Sequence, residues 1–217
     1  MQQVAATLRF YLAFAAALWL CSICAAPVAA NTELYPYIRK HSSASVSPQA
    51  LARLRQYDGL IRYFTSLSYF RPRHKVSADF MRALILAESG AHSGAISPKG
   101  ALGLTQIMPS TGRQAAKELY ASGSRFRYVP RARLAALRDD DLLDPAVNIL
   151  IACYLIAKYN EKFSGRIELV VSAWNAGEYT PALAGGRHAP YEETRNLIGR
   201  INGYYLHFQR QRTPLRR

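Results

Sequence analysis

Glu88 follows Met81, Leu84 and Ile85 by seven, four and three residues, the spacing that puts all four on one face of a helix. A carboxyl group at the end of such an apolar stripe is poorly solvated, so its charged form is disfavoured and its pKa rises. That is the condition a general acid needs to protonate a glycosidic oxygen near neutral pH. On this spacing alone, a helix-terminal glutamate satisfied by backbone N–H groups fits equally well. Other chemistries find less support. His41, His74, His188 and His207 show no metal-ligand spacing, and His92 reads as an exposed loop residue. Cys153 sits alone in a helical apolar pattern and reads as core. Neither a phosphate-cradling glycine loop nor a nucleophile elbow is present.

The sequence after Glu88-Ser89 carries more information. It runs through Gly94-Ala95-Ile96-Ser97-Pro98-Lys99-Gly100-Ala101-Leu102-Gly103-Leu104-Thr105-Gln106-Ile107-Met108-Pro109-Ser110-Thr111. Three further blocks come after it: Asp144-Pro145 with Asn148-Ile149, then Ala173-Trp174-Asn175-Ala176-Gly177, then Pro190-Tyr191 with Glu193-Thr194-Arg195. Together, and in this order, they resemble the soluble lytic murein transglycosylase family, which shares the goose-type lysozyme fold. The resemblance covers residues 77–208.

The resemblance implies roles position by position. Glu88 matches the catalytic glutamate. Ser97, Gln106 and Met108 match the loop that lines the cleft, where Gln supplies amide hydrogen bonds to the N-acetyl sugars and Met an adaptable apolar wall. Trp174 stands where the family usually has Tyr, which keeps a stacking face and puts the tyrosine's hydrogen bond in doubt. Asn175 matches the asparagine near the glutamate, and Tyr191 and Glu193 match the peptide-stem end of the cleft. Arg195 also fits a structural ion pair. Glu178 departs from the family, which commonly has Pro there, and reads as a solvated loop carboxylate or an extra acid near the cleft. The implied activity is cleavage of the β-1,4 bond between N-acetylmuramic acid and N-acetylglucosamine in peptidoglycan glycan strands, without hydrolysis and without metal or cofactor. Small exported members of the family serve secretion or conjugation machinery or remodel the wall generally, and a monomer is expected.

The elements that must position these residues are helices. Helical signals run over Pro48–Phe70, closed by Pro72, and again from Ser77, an N-cap, to Gly90. Ser89–Gly103 is too rich in Gly and Ser for regular helix and must be a shaped loop. Helix is expected from Ser110 to about Ala121, from the Asp144-Pro145 start to about Phe163, over Ile167–Trp174, and from Tyr191 to about Phe208. The segment 122–141, basic and then acidic, reads as an insertion or mobile element. The expected fold is a predominantly α, lysozyme-like single domain with at most a small hairpin.

Residues 1–30 read as a signal peptide: Arg9, the apolar run Phe10–Cys24, and small residues up to Ala30. The run is short of the ~20 residues a membrane span needs. Neither Cys21 nor Cys24 follows the small residue of a lipid-anchor motif. Cleavage near Ala30 leaves an extended leader over 31–48, a domain over 49–217, and a periplasmic protein. Removing Arg9 takes the formal charge from +14 to +13. For an exported protein the partners of such a charge are wall polyanions, and no nucleic acid is expected. Two other functions compete with the transglycosylase. One is a goose-type lysozyme in which Glu178 or Asp144 helps a water attack the same bond; the other is an inactive peptidoglycan-binding scaffold of an envelope machine.

Overall fold

The computed structural model describes residues 32–72 and 74–212. The signal-peptide reading of 1–30 and the tail arginines Arg216 and Arg217 lie outside the described residues. The chain divides into two compact units, Met1–Pro36 and Tyr37–Arg217. The second unit contains the core and the residues around Glu88.

The described elements are helical: α1 (Tyr35–His41), α2 (Pro48–Arg55), α3 (Asp58–Ser66), α4 (Ala78–Ser89), α5 (Pro109–Ala121) and α6 (Arg131–Ala135), then a 3-10 turn at Asp139–Leu143, then α7 (Pro145–Lys162), α8 (Ile167–Ala176), α9 (Pro181–Ala184) and α10 (Glu192–Arg212). In place of strands there are two isolated antiparallel bridges, Ile96 with Leu102 and Leu102 with Ile107, among the described residues. The fold is predominantly α and lysozyme-like. No described helix is long and apolar enough to cross a membrane.

Local chemistry sets the helix ends that matter. The Ser77 hydroxyl accepts from the Phe80 N–H at 3.3 Å and starts α4. Gly90, at φ 59°, stops it in a left-handed cap whose N–H reaches the Leu86 carbonyl. Asp144 caps α7 by accepting from Ala146 N–H at 2.8 Å, with Pro145 in the first helical position. The core lies around α7, where Val147, Ile149, Leu150, Ile151, Ala152 and Cys153 are fully buried. A helix apolar on every side belongs inside a bundle. Burial pushes the Cys153 thiol up and leaves it unreactive.

Three expectations need correction. The leader read as extended over 31–48 contains α1, which packs on α10: a side chain at Gly199 would overlap the Tyr37 carbonyl, and one at Gly203 the His41 carbonyl. Two glycines one turn apart let the backbones meet. The helical stretch 48–70 is two helices, broken after Arg55 and resumed at Asp58, with Tyr57 at φ −101°, ψ 0° between them. Residues 122–141, read as an insertion or mobile element, are packed rather than mobile. Val129 and Leu134 are buried, Tyr128 meets Tyr63 and Phe64 edge to face, and the Arg127 N–H donates to the Tyr63 hydroxyl at 2.9 Å. The large apolar residues of that segment, Phe126, Tyr128, Val129, Leu134 and Leu137, are interrupted by Pro130 and follow no single period, so the sequence pattern hid them.

Candidate active site

Met81, Leu84 and Ile85 are fully buried, and Glu88 ends their stripe half-buried at the last turn of α4. Removal from water raises its carboxyl pKa to about 7, the largest effect upon it. A hydrogen bond from Trp174 and the positive charge of Arg200 pull the value down, and the charge of Glu193 pushes it up. The Trp174 indole N–H donates to Glu88 Oε1 at 2.8 Å. One carboxyl oxygen is therefore held by a group that can only donate, and the acid proton belongs on the other. Where the tyrosine usual in the family would offer a hydroxyl, Trp174 offers its indole N–H.

The loop after Glu88 is held by its own polar groups. Ser89 Oγ donates to the Leu104 carbonyl at 2.7 Å, tying the helix end to the loop floor. Ser97 accepts from the Ala101 N–H at 2.9 Å and closes a tight turn. Gln106, at φ 53°, donates its side-chain amide to the carbonyls of Gly103 at 2.9 Å and Ala95 at 3.1 Å. Both amide hydrogens are thus spent within the loop. In this arrangement Gln106 shapes the loop, in a conformation that costs a non-glycine residue energy. Met108, 42 % exposed beside the α5 start, keeps an apolar surface open to solvent.

Asn148 pins this loop to α7. It is fully buried. Its oxygen accepts from Thr105 N–H at 3.0 Å and Thr105 Oγ at 2.7 Å, and its amide donates to the carbonyls of Leu102 at 3.0 Å and Leu142 at 2.8 Å. Gly103, at φ 78°, lies so close that a methyl there would overlap the Leu142 carbonyl oxygen and the Asn148 amide.

Helix α10 packs along α4 and forms the other side of the site. Asn175 accepts from Thr194 Oγ at 2.5 Å and hydrogen-bonds Glu193, so it orders the α10 start, and no bond joins it to Glu88. Glu193 forms an exposed ion pair with Lys99 of the loop at 2.9 Å, which holds its pKa below the usual carboxylate value. Tyr191 is exposed beside it. Arg195 donates to the Pro190 carbonyl at 3.1 Å and lies over the Tyr37 ring, a structural placement. Arg200 was missed by the sequence reading. It follows Glu193 by seven residues, which puts both on one face of α10 toward Glu88, and that spacing was visible in the sequence.

The two carboxylates named for a hydrolytic water are occupied elsewhere. Glu178 pairs with Lys162 at 2.8 Å and Lys158 at 3.5 Å, in a cluster where Lys158 also pairs with Glu118 and Tyr154 donates to Glu118 at 2.5 Å. Asp144 is a helix cap bound to Arg133 at 2.6 Å. No group of three or more metal-ligating side chains occurs among the described residues.

Trp174→Phe provides a direct check on this electrostatic picture. Removing the donor takes away the largest influence that lowers the Glu88 pKa, so the value should rise above about 7, read as the titration of the Glu88 carboxyl carbon by NMR. A fall would mean that the indole does not favour the charged form.

A helical domain whose buried stripe ends in a half-buried glutamate beneath a cross-tied, glycine-rich loop is of the lysozyme-like class. The chain belongs to the transglycosylase SLT domain family, whose family model matches residues 71–189. Among solved structures it is similar to the 70 kDa soluble lytic transglycosylase SLT70 from Escherichia coli, with 25% identity over 70% of this chain and a TM-score of 0.53. It also matches a 70 kDa soluble lytic transglycosylase in complex with bulgecin A, at 24% identity over 70% of the chain and a TM-score of 0.49. An inactive mutant of lytic transglycosylase Slt from Pseudomonas aeruginosa matches at 20% identity over 75% of the chain, with a TM-score of 0.48. The chain spans about a quarter of each, 24% of those chains.

Proposed function

We propose that this protein is an exported peptidoglycan lytic transglycosylase that acts in the periplasm. The observation that carries the reading is a single glutamate at the matched position, half-buried and held by desolvation at a pKa of about 7. A group poised there can give a proton and take one back within one turnover. Protonated Glu88 donates to the oxygen linking N-acetylmuramic acid to N-acetylglucosamine, and that bond breaks. The substrate's 2-acetamido group steadies the positive anomeric carbon. Ionised Glu88 then takes the proton of the muramoyl C6 hydroxyl, whose oxygen bonds the anomeric carbon. The product ends in 1,6-anhydro-N-acetylmuramic acid, Glu88 is again protonated, and no water is consumed. Trp174 keeps the carboxyl in one orientation throughout. Service to a secretion or conjugation apparatus, or to general wall turnover, is compatible with this chemistry.

A hydrolytic reading rests on Glu193, whose charge acts on Glu88 and which stays ionised beside Lys99. Such a carboxylate could activate a water on the far side of the sugar. Digestion of purified sacculi separates the two. We expect muropeptides one water lighter than hydrolytic products and inert to borohydride, from wild type and from Glu178→Gln alike. Predominantly reducible ends would make the protein a lysozyme.

A further inference from the structure

A pocket of about 600 Å³ opens between α2 and the loop that follows α4. It is lined by Arg53, Gln56 and Tyr57 from α2 and the two residues after it, by Ser89 at the end of α4, and by His92 and Ser93 with their neighbours in the loop. Its volume falls in the range of small-ligand sites. Ser89, which follows Glu88 in the chain, belongs to the lining.

The lining is one-sided in charge. Arg53 and His92 are its only groups that can carry charge near neutral pH, and both are basic. Arg53 Nε donates to the Gly90 carbonyl at 3.0 Å, which fixes the guanidinium plane against the loop and leaves its other N–H groups available. No carboxylate pairs with Arg53 among the described residues. Arg53 Nη2 and the His92 ring approach one point, the place where a side chain on Gly90 would begin, at 3.8 and 3.9 Å. At φ 59° that position disfavours any other residue, so the gap between the two basic groups stays open. The hydroxyls of Tyr57 and Ser93 and the Gln56 amide belong to side chains that also line it. A half-buried guanidinium fork without an acidic partner, beside an imidazole, matches the geometry of a carboxylate.

The geometry points to this pocket as a subsite that binds a carboxylate of the peptide stem carried by the glycan strand. This rests on the reading of the protein as a peptidoglycan enzyme. In that reading Arg53 holds the carboxylate through its fork, His92 closes the other side, and the stem tethers the strand to the loop that follows Glu88. Specificity for stem-bearing strands over bare glycan follows.

The experiment is calorimetry on the Glu88→Gln protein, in which binding is read without turnover. Three soluble ligands of equal glycan length are compared: one with stem peptides, one with the stems removed, and one with the stem carboxylates amidated. The stem-bearing glycan should bind about tenfold tighter than the other two, the scale of a charge-assisted hydrogen-bonded pair. Adding Arg53→Gln should erase the difference while leaving affinity for the stripped glycan unchanged, and adding His92→Gln should narrow it. Equal binding of the amidated ligand overturns the inference, as does a ratio unchanged in Arg53→Gln. So does an equal loss for stripped glycan, because Arg53 would then act only by shaping the loop. Failure to bind any of the three would instead sink the peptidoglycan reading itself.

Discussion

Glu88→Gln should lower the release of muropeptides from sacculi by at least about 10²-fold, the lower end of what a positioned general acid contributes. The amide keeps the side chain's volume, and its oxygen can still accept from the Trp174 indole, so the circular dichroism spectrum should not change. What the amide cannot do is give a proton to the leaving oxygen or take one from the C6 hydroxyl. Stability provides an independent arm. Folding raises the Glu88 pKa from 4.5 to about 7, so the protonated form is the one the fold favours. Its contribution is fully present below pH 4.5 and is lost as pH rises through about 7. Relative to wild type, Glu88→Gln should therefore gain thermal stability between pH 4.5 and 7, with the gain level above that. Near wild-type lysis by a folded variant would remove Glu88 from the chemistry. A variant that loses activity and also melts earlier at about pH 8, above the raised pKa, would show that the glutamate serves the fold instead.

Much of this site could be read from residue order, because the features that define it are local. The stripe Met81, Leu84, Ile85 and Glu88 has the helical period, and Ser77, Gly90 and Asp144-Pro145 mark helix ends by their own backbone chemistry. What stayed hidden depends on which long-range partner a polar group finds. Residue type marks Gln106 as a polar amide, but not that its two donors close the loop. Glu178 looked like a free acid near the cleft, yet two lysines of α7 take it. Trp174 looked like a lost hydroxyl, because type alone says nothing of where an indole N–H points. Helix α1 escaped notice for a related reason: its helicity depends on the smooth face that Gly199 and Gly203 present, far along the chain.

Asn148→Leu should be the most damaging substitution to the fold. The change keeps the branched shape with some added bulk but strands three buried groups, the Thr105 N–H and hydroxyl and the Leu142 carbonyl, while the Leu102 carbonyl keeps its bond from the Ile107 N–H. Unpaired buried polar groups cost about 1–3 kcal/mol each, and partial relaxation brings the sum to roughly 4 kcal/mol. For a domain of this size that is a fall in Tm on the order of 10 °C. Gly103→Ala tests the same junction by a different route, since it keeps every hydrogen-bonding partner and adds only a methyl. It must move either the Leu142 carbonyl or the Asn148 amide, at a φ of 78° that disfavours alanine. The loop carries the consequence to the acid, because Leu104, one residue from both Gly103 and Thr105, accepts the Ser89 hydroxyl at the end of α4. Both variants should thus lose activity as well as stability when assayed well below their Tm. A Tm for Asn148→Leu within about 2 °C of wild type, less than about 1 kcal/mol for a domain of this size, would mean that the loop holds its shape without this anchor.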